Sequence, residues 1–160
     1  MSSAAERFAE AAHALGLHPA VHRFPEGTKT AEDAARAVGC DVAQIVKSLV
    51  FMADDRPVLA LTSGRHRVDT ARLAAVVGAE LVRRATPEEA RTATGFAVGG
   101  TPAFGYPAPL PAFVDPELLR HDQVWSAAGT PDAVFPIAPA DLVRLSGAAT
   151  ADFVENLSGG

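Results

Sequence analysis

The alternation of apolar and polar positions changes period several times along the chain, and each change marks an element. Ser2 to Leu15 carries Phe8, Ala12 and Leu15 at helical spacing and predicts an amphipathic helix. "AVHRF" (20–24) alternates and predicts a short strand. Thr30, with Asp33 three residues on, has the form of a helix start, and Gly39 ends that helix. "QIVKSLVFMA" (44–53) and "PVLALTS" (57–63), separated by "DDR", predict a β-hairpin. Asp69 to Val77 predicts a helix stopped by Gly78, and "AELVRRA" (79–85) a strand. Thr86-Pro87-Glu88-Glu89 opens a further helix, with proline at its first position and glutamate at its third. Strands at 111–115, 123–128 and 133–137, a helix from Pro139 to Leu145, and a last strand at 151–155 complete the series. The interleaving predicts a mixed α/β (α+β) domain spanning 1–160, built on one curved sheet with several antiparallel pairs.

One segment fits neither period. "TGFAVGGTPAFGY" (94–106) holds four glycines among Phe96, Val98 and Phe104, too apolar for an ordinary surface loop. Glycines together indicate unusual backbone angles, or something that approaches the backbone closely. Gly95 and Gly100 have the outer spacing of a phosphate-binding P-loop, but Thr101-Pro102 stands where lysine and serine or threonine are required. A structural turn and a small-molecule pocket floored by peptide N–H groups remain.

Lys47 is the second irregularity. At a period of two it shares a face with Ile45, Leu49 and Phe51, opposite Val46, Ser48 and Val50. An ammonium on an aliphatic face has two readings. It guards a sheet edge with its head in water, or it faces a pocket and meets a phosphate or carboxylate.

Composition narrows the remaining chemistry. A net charge of −5 argues against a broad nucleic-acid-coating surface and leaves room for a local basic site such as Arg65, Arg67 and Arg72. Cys40 is the only cysteine, so no internal disulfide forms. Histidines 13, 18, 22, 66 and 121 lack metal-ligand spacing, and no serine-hydrolase elbow is present. Trp125 is read as a core residue. The N-terminal stretch is interrupted by Glu6, Arg7, Glu10 and His13, and no apolar run approaches the ~20 residues of a membrane span, so a cytoplasmic location is expected.

Taken in order, "VKSL" (46–49), "LALTSGRHRVDTARLA" (59–74), "TGFAVGGTPAFG" (94–105) and "VWSAAGTPDAVFPIAPADLVRLSG" (124–147) resemble the YbaK/EbsC family of aminoacyl-tRNA deacylases. That family includes prolyl-tRNA editing proteins and the editing domain of bacterial prolyl-tRNA synthetases. The resemblance implies a barrel-like mixed sheet flanked by helices. It also implies a trans-editing hydrolase that releases a wrongly attached amino acid from the 3′ acceptor end of tRNA, with tRNA for proline the expected carrier. No metal, cofactor or membrane is implied, and a synthetase is an implied partner. Lys47 matches the family lysine that holds the terminal adenosine or its phosphate, and with Gly100 it is assigned to catalysis. Gly99 and Gly100 match the paired pocket glycines, Gly129 the second pocket glycine, and Arg67 an accompanying basic turn. Thr101, Pro102, Phe104, Gly105 and Thr130 join Arg67, Gly99 and Gly129 as substrate-binding residues. Peptide N–H groups near Gly100 and Gly129 are expected to meet the oxyanion, and the greasy segment is then a pocket floor. Ala103 stands where many relatives have proline, and Ala127 where cysteine-releasing members have serine, so the released amino acid is unassigned. A tRNA- or nucleotide-binding module without turnover is the alternative.

Overall fold

The computed structural model describes residues 3–28 and 30–156. Helix α1 (Ala4–Ala14) starts at a reciprocal cap between Ser3 and Glu6, so the expected start at Ser2 lies outside the described residues. Strand β1 is only His22–Arg23. Helix α2 (Ala31–Val38) begins where Thr30 Oγ1 accepts the Asp33 N–H at 3.0 Å, as the sequence predicts. A 3-10 turn, Val42–Gln44, takes the first residues of the expected strand and leaves β2 as Val46–Ala53.

β2 turns into β3 (Arg56–Ser63) through Asp54 and Asp55 alone, both at positive φ. Arg56 pairs with Ala53, so it belongs to the ladder and not to the turn. Helix α3 (Thr70–Val77), strand β4 (Val82–Arg84) and helix α4 (Pro87–Thr94) follow, the last with the predicted capping box of Thr86 and Glu89. Beyond the glycine segment come β5 (Ala112–Val114), a 3-10 helix (Pro116–Arg120), β6 (Val124–Ala127), β7 (Ala133–Ile137), α5 (Pro139–Ser146) and β8 (Ala149–Thr150). The expected strand at 151–155 is replaced. Phe153 is fully buried, and only Val154 bridges, to Val68.

The fold class is mixed α+β, as expected, but the strands form two sheets and neither closes into a barrel. One has the order β1-β7-β6, the other β4-β2-β3-β5-β8. In the second, β3–β5 and β5–β8 run parallel, an arrangement the short alternating segments did not reveal. The main apolar cluster lies beneath α1, where the rings of Phe8, Phe104 and Phe135 stand 5.1–6.1 Å apart. A second cluster gathers Phe51, Ala60, Leu73 and Phe153 on the α3 side. Among the described residues no helix is long and apolar enough to cross a membrane.

Candidate functional site

Where the two sheets meet, β2 and β6 touch and then part. Ile45 and Trp125 form a single parallel bridge. On the same edge of β2, pairing resumes only at Phe51, which faces Arg84 of β4. Between these points no strand is paired with β2 on this edge, while β3 pairs with it on the other. The gap is a cavity of about 500 Å³, bounded by Ile45–Val50, the start of α2, Arg84–Ala85, Ala90, the glycine turn, and Trp125 and Ala127.

The ladder geometry shows which main-chain groups face this gap. Gly64 N–H donates to the Ile45 carbonyl at 2.7 Å, which turns the main chains of Ile45, Lys47 and Leu49 toward β3. Val46, Ser48 and Val50 therefore direct theirs to the open edge. Val50 uses its carbonyl there to accept from Ala85 N–H at 3.1 Å. Opposite Ser48 neither β4 nor β6 pairs, so its N–H and carbonyl point into the cavity. Ser48 Oγ, beside them, is buried and has no hydrogen-bond partner among the described residues. Each of the cavity's threonines already holds one partner. Thr28 and Thr101 donate to the Pro131 and Ala97 carbonyls at 2.6 and 3.0 Å, and Thr30 caps α2.

Lys47 lines the cavity at the opposite face of the strand, half-buried, and its ammonium donates to the His66 carbonyl. His66 is anchored in turn: its Nδ1 lies 2.7 Å from Asp115 Oδ2, and the buried Asp115 also accepts from the Ser63 and Glu117 N–H groups. Burial lowers the pKa of Lys47 below its ordinary 10.5. Glu32 and Asp115 oppose that shift, while Arg67 and Arg84 reinforce it. The exposed Arg67 and Arg84 thus lie close enough for their charges to be felt at Lys47. Arg84, which also lines the cavity and stacks over Phe51, was not singled out from the sequence, nor was Ser48 as a site residue. Trp125 is a correction: its ring is half-buried and forms part of the cavity wall, edge-on to His22.

The glycine segment divides. Val98, Gly99 and Thr101 reach the cavity. Phe96 and Phe104 do not; they are buried in the main core, and Gly105 rests against Phe8 and Ala11 of α1. The aromatic positions of the segment are greasy because they pack beneath a helix, and only the stretch from Val98 to Thr101 borders the cavity. Pro102 is buried beside Ala103, and its carbonyl accepts the Tyr106 hydroxyl, whose pKa burial raises. Gly100 and Gly129 sit behind the cavity wall, pressed together: a Cβ on Gly100 would lie 2.8 Å from both the Gly129 oxygen and Thr130 Cα. Gly100 N–H donates to Ala97, and Gly129 N–H to the Gly100 carbonyl, both at 3.0 Å. These two donors are therefore already occupied, whereas β2 leaves main chain open to the cavity. Ser126, fully buried, accepts from Ala103 N–H at 3.3 Å and holds the segment to β6.

Against known proteins, the model of the aminoacyl-tRNA editing domain matches residues 25–145. The chain belongs to the aminoacyl-tRNA editing family. This agrees with the resemblance stated for its motifs. A solved structure described as a candidate trans-editing enzyme for prolyl-tRNA synthetase is 45% identical to this family member, with a TM-score of 0.91 over 98% of this chain and 99% of the other. A proline–tRNA ligase of Lactiplantibacillus plantarum is 38% identical over 73 residues, which are 46% of this chain and 13% of the ligase. The protein YwhH of Bacillus subtilis is 28% identical over 127 residues, covering 79% of this chain and 80% of its own. The editing protein thus spans about an eighth of the ligase and most of the free-standing relatives. Among the described residues no three His, Cys, Asp or Glu side chains cluster as a metal site requires.

Proposed function

We propose that this editing protein hydrolyses the ester of a mischarged tRNA, in the prolyl system, and acts in the cytoplasm beside a prolyl-tRNA synthetase. The observation that carries this reading is the cavity's polarity. Two cations, Lys47 and Arg84, line a recess that is otherwise mostly apolar, and no carboxylate lines it among the described residues. Such a recess suits a ligand with a phosphate at one end and a small uncharged group at the other. The 3′ terminus of aminoacyl-tRNA has that form. Lys47 and Arg84 take the terminal phosphate, with Arg67 outside the mouth, while the amino acid enters between β2 and the glycine turn.

An aminoacyl ester is already activated, so orientation of a water or of the ribose 2′-hydroxyl supplies much of the acceleration. Desolvation by Val98, Ala90 and Ala127 strengthens every polar contact made to the ester. In this arrangement Gly100, Gly129 and Thr130 set the position of the turn, and Gly99 and Thr101 meet the ligand. The test is a deacylation panel with tRNAs carrying alanine, cysteine, serine, threonine and proline. Release of at least one above its spontaneous rate is expected. A second reading, tRNA binding without turnover, has one observation in its favour: among the described residues no histidine, cysteine or carboxylate lines the cavity to act as a base. A silent panel with retained tRNA binding selects it.

A further inference from the structure

The aminoacyl ester carries, beside its carbonyl, an α-ammonium or amine that must also be accommodated. Burial of an unpaired ammonium is costly, and a carboxylate is the usual partner. None lines this cavity among the described residues, and both of its charged side chains are cations. The substrate's nitrogen must therefore be met by neutral acceptors. The hydroxyls of Thr28, Thr30 and Thr101 each already hold one partner, the first and last as donors and Thr30 as an acceptor. Ser48 differs on every count. Its Oγ is buried and unpartnered, and its main chain faces the open edge of β2. A buried hydroxyl without a partner is a cost that a native fold rarely carries without reason.

We infer that Ser48 is the binding residue for the α-amino group of the amino acid, with Oγ and the main-chain carbonyl as acceptors, while Lys47 on the opposite face of the same strand holds the nucleotide end. This assignment rests on the deacylase reading for its ligand, and it gives a role to a residue of the "VKSL" motif to which the family resemblance assigned none. It also gives the adjacent pair Lys47-Ser48 a division of labour: alternation sends one side chain to each face, so a ligand straddling the strand edge is gripped at both ends.

The test uses binding, so that it stands apart from turnover. The probes are 3′-alanylamino-3′-deoxyadenosine, its seryl counterpart, and the N-acetyl derivative of each, whose amide linkage resists hydrolysis. Full-length wild type and Ser48→Ala are titrated with all four. Ser48→Ala is expected to weaken the free-amine probes about tenfold, the scale of a hydrogen bond to a charged group, and to leave the N-acetyl probes unchanged. Equal weakening of free and acetylated probes, no weakening of either, or a loss confined to the seryl probe would each overturn the assignment, as would failure of the wild type to bind any of them. The variant removes an unsatisfied hydroxyl, so it is expected to melt no lower than wild type. The deacylation panel is scored independently: turnover with Ser48-independent binding sinks only this assignment, and Ser48-dependent binding without turnover sinks only the deacylase reading.

Discussion

The glycine turn and the open edge of β2 face each other across the cavity and solve opposite problems. At the turn the two closely packed glycines have their main-chain donors in use: Gly100 donates to Ala97, and Gly129 to Gly100. At the edge, one residue of a regular strand is left without a neighbour strand on one side. The glycines are there so that two backbones can touch. The strand is open so that something else can. A glycine-rich loop beside a pocket is therefore not automatically its floor, and a regular strand is not automatically its frame.

The largest effect expected from breaking this contrast is at Gly100. Gly100→Val would push side-chain atoms into the Gly129–Thr130 backbone, which has no flexible end to move aside. The packing conflict is expected to cost about 1–3 kcal/mol of stability and to displace the turn, with loss of hydrolysis. Thermal melts and single-turnover assays check both, and wild-type values in each would show that the two backbones can separate freely.

Lys47→Ala comes next. Loss of a charge-assisted contact in a sheltered site predicts a tenfold to hundredfold lower rate, corresponding to about 1.5–3 kcal/mol. Lys47→Arg should rescue only partly, because the guanidinium is planar and broader. Stability behaves differently. The folded state lowers the lysine pKa, chiefly by burial, so the unfolded chain binds more protons in the window between the lowered value and 10.5. The charge is thus a liability at neutral pH that is relieved as pH rises through that window. Lys47→Ala is expected to be at least as stable as wild type at pH 7, and any advantage should shrink toward pH 10.5. A wild-type rate from the folded variant would return Lys47 to the role of an edge guard.

Arg84→Ala sharpens the comparison from outside. An exposed arginine that meets a phosphate contributes mainly through counterion release. Its removal should weaken tRNA binding evenly across amino acids and flatten the salt dependence by about one unit of slope. An unchanged slope would place the phosphate elsewhere. The smallest expected effect is none: EDTA should leave deacylation intact, since the proposed chemistry uses peptide groups, a lysine and an oriented water. Activity lost to chelation and restored by zinc would count against it.

Much of the frame was legible because its signals are local. The helix starts at Thr30 and Thr86, the stops at Gly39 and Gly78, and the alternation around Lys47 all act within a few residues. The Lys47 pattern also carried half of the site. What the pattern could not show depends on partners distant in sequence. The parallel pairing of β3 with β5 joins Leu59 to Ala112, and the opening beside Ser48 exists only because β4 and β6 diverge. Ser48 lay on the face opposite the conspicuous lysine, and serine in a strand gives no warning of burial without a partner. Phe96 and Phe104 misled for the same reason: their partners include Arg7 and Phe8 respectively, near the other end of the chain.

Trp125 has a practical consequence. The chain has one tryptophan, and it stands on the cavity wall. Indole emission from this protein therefore originates at the site, with no background from tryptophans elsewhere. Its half-buried ring is open to a quencher in solution and would be shielded, or shifted in colour, by anything that fills the recess. The fold thus carries its own optical reporter, and occupancy can be followed in real time on the unlabelled protein.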